Sequence, residues 1–188
     1  MGLMKQAYDT YCALENQYAG EYGKAKEPLV PVSHQIINAD LEIVLDPDGN
    51  LLSARAVDKE DAATIIPVTE QSAGRVGENS CAHPLCDQIR YLSPAYPAKY
   101  EAYLTQLHKW ESSPYSHPKL APVALYVEKG SILADMERFG LITLDEQGLP
   151  LKEKQVVRWR IVSGAENEIS ACWQDKDLFR AFIAYYAS

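Results

Sequence analysis

The sequence predicts an α+β fold: a single domain with a largely antiparallel sheet and packed helices. Patterned segments run in the order helix, strands, helices, strands, helix, without the regular strand and helix alternation that a parallel nucleotide-binding sheet requires. Two β-rich runs flank a turn containing proline and glycine, which marks an antiparallel hairpin. With 188 residues, 47% of them hydrophobic, the chain can bury a real core within one domain.

Leu3, Met4, Ala7, Tyr8, Tyr11, Leu14 and Tyr18 recur at three- and four-residue steps before Gly20 and Gly23, so the chain opens with an amphipathic helix. Residues 34–57 then read as two strands around Asp46-Pro47-Asp48-Gly49-Asn50. Ala63 to Val68 is a third strand, feeding a loop. Leu85 to Leu92 reads as a short helix. Tyr100, Tyr103, Leu104, Leu107 and Trp110 mark about four helical turns starting near Pro97, a residue favoured at first helical positions, and Ser112, Ser113 and Pro114 stop them. A helix over about 120–129 follows, and Ser131 opens another that runs through Phe139 to Gly140. Gln155 to Val162 alternates Val157, Trp159 and Ile161 with Arg158 and Arg160, a strand with a solvated arginine face, and a short run through Ile169 pairs with it. The last helix, about 175–187, is capped by Asp175 and carries Leu178, Phe179, Phe182 and Tyr186 inward.

Composition narrows the function. A net charge of -8 argues against a protein that coats duplex DNA by bulk electrostatics, so any polyanion must meet a local patch, and the chain alone should bind duplex weakly. Acid concentrates over residues 40–61. Base gathers at Lys152, Lys154, Arg158 and Arg160, and at Lys24 and Lys26 after the first helix. No apolar run spans a membrane and no signal peptide is visible, which reads as cytoplasmic. Cys12, Cys81, Cys86 and Cys172 are too few and too scattered for a secreted disulfide framework.

Residues 67–92 hold most of the functional signal. Gly74 and Gly77 flank Arg75 and Val76 in a stretch that no regular element absorbs, so the backbone is free to approach a partner while Arg75 offers a planar fork of donors. Gln71, Ser72 and Asn79 add polar side chains to the same contact set. Arg158 and Arg160 are candidate phosphate contacts beside it. The Cys81-x-His83-x2-Cys86 spacing invites a metal, but zinc sites come as two separated ligand pairs, and a packed turn is the better reading. A thiol nucleophile with His83 is too local in sequence to converge as a catalytic pair. No phosphate-binding loop or dinucleotide fingerprint is present. Asp46 and Asp48 begin like a calcium loop, but Val57 stands where its glutamate belongs. No cofactor is implied, and no enzyme is expected.

Taken together, HPLCDQIRYL, the Tyr-Leu-x2-Leu-x2-Trp helix and ALYVEKGSILADM resemble the N-terminal part of the large subunit of the type I-C CRISPR interference complex, Cascade. The likeness spans nearly the whole chain. It runs in order through Tyr8 to Tyr22, Asp46 to Asn50, Gly74 to Gly77, Leu85 to Asp87 and Tyr100 to Trp110. Two departures touch the contact region: Val76 and Gly77 follow Arg75 where hydroxyl residues are common, and Ser93-Pro94 replaces a glycine.

The resemblance implies that residues 1–188 correspond to the N-terminal domain of a longer subunit, its helical C-terminal region not included. It also implies a noncatalytic subunit in antiviral defence. Guide RNA pairing reads the target, while this subunit recognises the protospacer-adjacent motif in the duplex and helps start strand separation. Implied partners are target double-stranded DNA, guide RNA, other subunits of the complex and a recruited helicase-nuclease that cleaves. The alternative is an assembly module that docks the large subunit onto guide RNA and its neighbours without reading DNA.

Overall fold

A computed structural model describes residues 34–68, 82–165 and 168–187. The expected first helix lies outside them. The described residues form the expected α+β domain, with six strands, β1 (His34–Asn38), β2 (Leu41–Leu45), β3 (Leu51–Ala56), β4 (Ala63–Pro67), β5 (Cys86–Gln88) and β6 (Val156–Ile161). Four helices accompany them: α1 (Pro97–Glu111), α2 (Leu120–Glu128), α3 (Ile132–Arg138) and α4 (Lys176–Ala187).

Strands β1 and β4 form a small antiparallel sheet, and a larger one has the order β3-β2-β6-β5. Only the β2–β6 pairing in the larger sheet is parallel; β2–β3 and β5–β6 are antiparallel. The chain crosses between the sheets at Ala39 and Asp40. There the Ala39 N–H donates to the Ala62 carbonyl and Asp40 Oδ2 accepts the Val156 N–H at 2.7 Å.

Alternation along the two central strands decides the layering. Leu41, Ile43 and Leu45 with Val157, Trp159 and Ile161 turn one face toward Tyr103, Leu107 and Trp110 of α1, Tyr126 of α2 and Phe182 of α4, all in one buried cluster. The opposite face is covered too, because Ala39 and Ile66 pack with Cys86 and Val156. The larger sheet is therefore a middle layer. That corrects the expected solvated arginine face: Arg158 is only 1% exposed and Arg160 is half-buried.

The hairpin turn is built as its sequence suggests. Asp46 Oδ1 accepts the N–H groups of Asp48 and Asn50 at 2.9 and 2.8 Å, and Gly49 takes φ 71°. The turn also docks on α2. A Cβ at Gly49 would lie 2.7 Å from Leu125 Cβ and 2.8 Å from the Pro122 carbonyl, and Lys129 Nζ donates to the Gly49 carbonyl at 2.7 Å. A second Asp-x-x-Gly turn repeats the device, with Asp145 Oδ1 accepting from Gln147 and Leu149.

Residues 85–92 differ from expectation. In place of a short helix they form β5, paired with β6 through Cys86↔Arg158, and then a 3-10 turn at Ile89–Tyr91. The Asp87 carboxylate accepts the N–H groups of His83 and Gln88, a local alternative to helical bonding. The strand expected through Ile169 is displaced as well. Beyond β2 and β5, β6 gains from this segment an isolated bridge between Arg160 and Ala171, and Ile169 is 47% exposed. α4 starts as its cap requires, with Asp175 Oδ1 accepting from the Asp177 and Leu178 N–H groups.

Candidate functional site

Of the sequence-predicted contact residues, Gln71, Ser72, Gly74, Arg75, Gly77, Asn79, Lys24 and Lys26 lie outside the described residues. What the structure describes is the base from which the 69–81 segment departs. His83 is buried, and its ring bridges the two stems. The Leu85 N–H donates to Nδ1 at 3.2 Å, which leaves the proton on Nε2 to donate to the Pro67 carbonyl at 2.9 Å. The imidazole also stacks on Phe182, with centroids 5.1 Å apart. Asp87 takes the His83 N–H at 2.6 Å, and the Tyr103 hydroxyl donates to the Pro84 carbonyl at 2.7 Å. The Leu85-Cys86-Asp87 motif is thus a brace.

The metal reading of this stretch can be set against that geometry. Both His83 nitrogens are engaged by backbone, Cys86 is fully buried, and Cys81 lies outside the described residues. Among the described residues no group of three or more His, Cys, Asp or Glu side chains could hold a metal ion. Burial pushes the Cys172 thiol up to about 12, so it stays protonated at neutral pH.

The second feature is a row of charges across the larger sheet. Register sets Arg55 of β3 and Arg158 of β6 on either side of Glu42 in β2, with Arg160 two positions along the same face. Glu42 is 2% exposed and accepts from all three arginines. Arg55 donates at 2.7 Å, Arg158 at 2.6 and 3.1 Å, and Arg160 at 2.8 Å. Asp61 closes the row by accepting from Arg55 and Arg158, each at 2.8 Å. Trp173 lies against two of the cations, its ring centroid 3.8 Å from the Arg158 guanidinium and 5.0 Å from that of Arg160.

Electrostatics explain why this survives burial. Desolvation alone would raise the Glu42 carboxyl, but hydrogen bonds from Arg160 and Arg158 outweigh it and hold the group below its ordinary value. At Asp61 the hydrogen bond from Arg55 is the largest cause and lowers the carboxyl. The three arginines differ in what they have left to give. Every N–H of Arg158 has an acceptor, counting the Asp61 carbonyl at 2.7 Å and Thr64 Oγ1 at 3.4 Å. Arg158 is therefore a framework residue, not the exposed phosphate contact that its sequence position suggested. Arg160 keeps a side chain that is 30% exposed and Arg55 one that is 46% exposed.

Sequence reasoning missed Arg55, Glu42, Asp61 and Trp173 as partners. Glu42 and Asp61 read as part of an acidic segment, although a glutamate on the inward-alternating β2 opposite an Arg-x-Arg strand was the available signal. A separate buried ion pair lies at the start of α4, where Lys119 Nζ donates to Asp175 and to the Ile169 carbonyl, with His117 Nε2 3.9 Å from the same carboxylate. It anchors the helix cap. Among the described residues no helix is long and apolar enough to cross a membrane.

No curated protein matches the chain significantly. A family model does, over residues 8–188, and its description is CRISPR-associated protein (Cas_Csd1). A match of that extent takes in both the braced stem and the charge row: the chain belongs to the CRISPR-associated protein (Cas_Csd1) family.

Proposed function

We propose that the chain is the N-terminal domain of the large subunit of a type I-C CRISPR interference complex. In this reading it is noncatalytic, recognises the protospacer-adjacent motif in target duplex DNA, and helps start strand separation. Guide RNA pairing reads the rest of the target, and cleavage belongs to a recruited helicase-nuclease. The observation that carries the reading is the braced stem at Pro67 and His83. A buried imidazole tying both ends of a glycine- and arginine-bearing segment to a packed core is what a contact loop needs. Such a loop needs a rigid root.

Arg75 is suited to a base edge or a phosphate, and Gln71 and Asn79 offer amides to groove acceptors. The test replaces Arg75→Ala or Asn79→Ala in the assembled complex and measures target binding together with melting temperature. A lost arginine fork should weaken binding by about 1–3 kcal/mol, roughly 5- to 150-fold, at equal melting temperature. Unchanged target binding removes the reading.

One observation favours the assembly alternative. Ile183, on the last helix, is 39% exposed, and an apolar residue there suits docking against a neighbouring subunit. In that case Ile183→Glu blocks incorporation into the complex while Arg75→Ala leaves target binding intact.

A further inference from the structure

Three arginines gather at the charge row against two carboxylates, Glu42 and Asp61, so the row carries one cation in excess. That excess is not buried. Arg158 has no N–H to offer, whereas the partners of Arg55 both lie on Nη2, leaving its Nε and Nη1 groups without acceptors among the described residues. Arg160 donates from Nε to Glu42 and from Nη1 to Ser170 Oγ at 2.9 Å, and its Nη2 has no acceptor among them either. Both guanidinium groups reach the Glu42 carboxylate, Arg55 at Oε2 and Arg160 at Oε1, and their idle donors lie on partly exposed side chains. Ser170 is half-buried and accepts from Arg160, so its own O–H is available to a further acceptor.

We propose that Arg55 and Arg160, held apart by Glu42 and helped by Ser170, bind a phosphodiester of the target duplex, with Arg158 as the buried positioning residue beneath them. A phosphodiester carries one negative charge and presents acceptors only. It therefore matches the single excess cation and the idle donors, and it meets a guanidinium fork better than an ammonium. The half-exposed Asp61 carboxylate adjoins this surface, but Arg55 and Arg158 occupy it. The assignment to duplex DNA rests on the recognition reading above; the anion site itself rests on the donors.

The experiment measures target-duplex affinity of the assembled complex against salt concentration for wild type, Arg55→Gln, Arg160→Gln and the double variant. The site neutralises one phosphate, so the double variant should flatten the slope of log K against log [salt] by about 0.9, and each single variant by no more than that. Arg55→Lys and Arg160→Lys keep the charge and should keep the slope. A merely structural role would change stability without changing the slope.

If Arg160→Gln compromises folding, Arg55→Gln alone carries the test, since Arg158 still holds Glu42. Wild-type slopes in both glutamine variants overturn the proposal. So does a salt effect confined to guide RNA loading, which would assign the phosphate to RNA. Flattened slopes with Arg75→Ala silent would sustain the anion site and remove the motif-reading loop. Unchanged slopes with Arg75→Ala deleterious would do the reverse.

Discussion

Replacing Glu42→Gln tests the charge row most directly. The carboxylate accepts four hydrogen bonds from three guanidinium groups while 2% exposed. The amide keeps the volume but removes the charge and turns an NH2 group toward a cation. Arg158, itself 1% exposed, would then retain Asp61 as its only carboxylate partner. Breaking a buried pair by removing one partner costs about 3–5 kcal/mol, because the remaining charge is left desolvated. For a chain of this size that corresponds to a melting-temperature loss of roughly 6–20 °C. Urea unfolding followed by tryptophan fluorescence is the assay, since Trp159 and Trp173 are both buried and Trp173 lies on the row. Glu42→Leu combined with Arg158→Met removes both charges together and should recover much of the loss. A loss below about 1 kcal/mol for Glu42→Gln would refute the claim that the row is desolvated and mutually dependent.

Two further outcomes follow from local geometry. Gly49→Ala should cost about 2–5 kcal/mol, the sum of a left-handed backbone at φ 71° and overpacking against Leu125 and Pro122, and a urea midpoint close to wild type would mean the hairpin turn does not sit on α2. Stability should also fall on acidification. Burial holds His117 below its ordinary value, and hydrogen bonds hold Glu42, Asp61 and Asp175 below theirs against or beside the opposing effect of burial. All four therefore bind protons more readily when unfolded, so their contributions are full above the unfolded values. They are lost as pH falls, first below about 6.5 for the histidine and then below about 4.3 for the carboxylates. Melting temperatures that stay flat from pH 7 to 3 would contradict this.

Local signals made part of the fold legible. The Asp46 to Asn50 turn, Pro97 before a run ending at Trp110, and Asp175 as a cap each act within a few residues, and β3, α1 and α4 begin as those signals direct. What the sequence hid is nonlocal. The β1–β4 pairing and the parallel β2–β6 pairing join segments far apart in the chain, and together they put layers on both faces of the larger sheet. An alternating strand was read as having one wet face, the common antiparallel case. With Ile66 and Ala39 over that face, Arg158 had to be buried with its carboxylates. The run at 85–92 failed for another reason. An apolar stretch of that length fits a strand or a helix equally, and the Asp87 side chain, by capturing nearby N–H groups, decided between them.

The chain's charge of -8 opposes the proposed role on DNA, yet part of its acid is engaged in holding cations. Of the carboxylates in the acid-rich stretch only Glu42 is buried, Asp48, Asp58 and Glu60 are exposed, and several of the others hold specific partners. Asp40 holds the Val156 N–H, Asp46 closes its own turn, and Glu42 and Asp61 hold arginines. These acids set the positions of cations as much as they cancel them. Without Glu42, Arg55 and Arg160 would have no common anchor and their donors would point independently into solvent. With it, they form a fixed pair beside a buried third. A polyanion approaching this surface within about a Debye length, some 8 Å at physiological salt, meets the two guanidinium groups together with the Asp61 carboxylate that Arg55 and Arg158 already hold. An acidic domain that binds DNA through such a patch gains selectivity from its own net charge, because duplex held elsewhere on the surface is repelled.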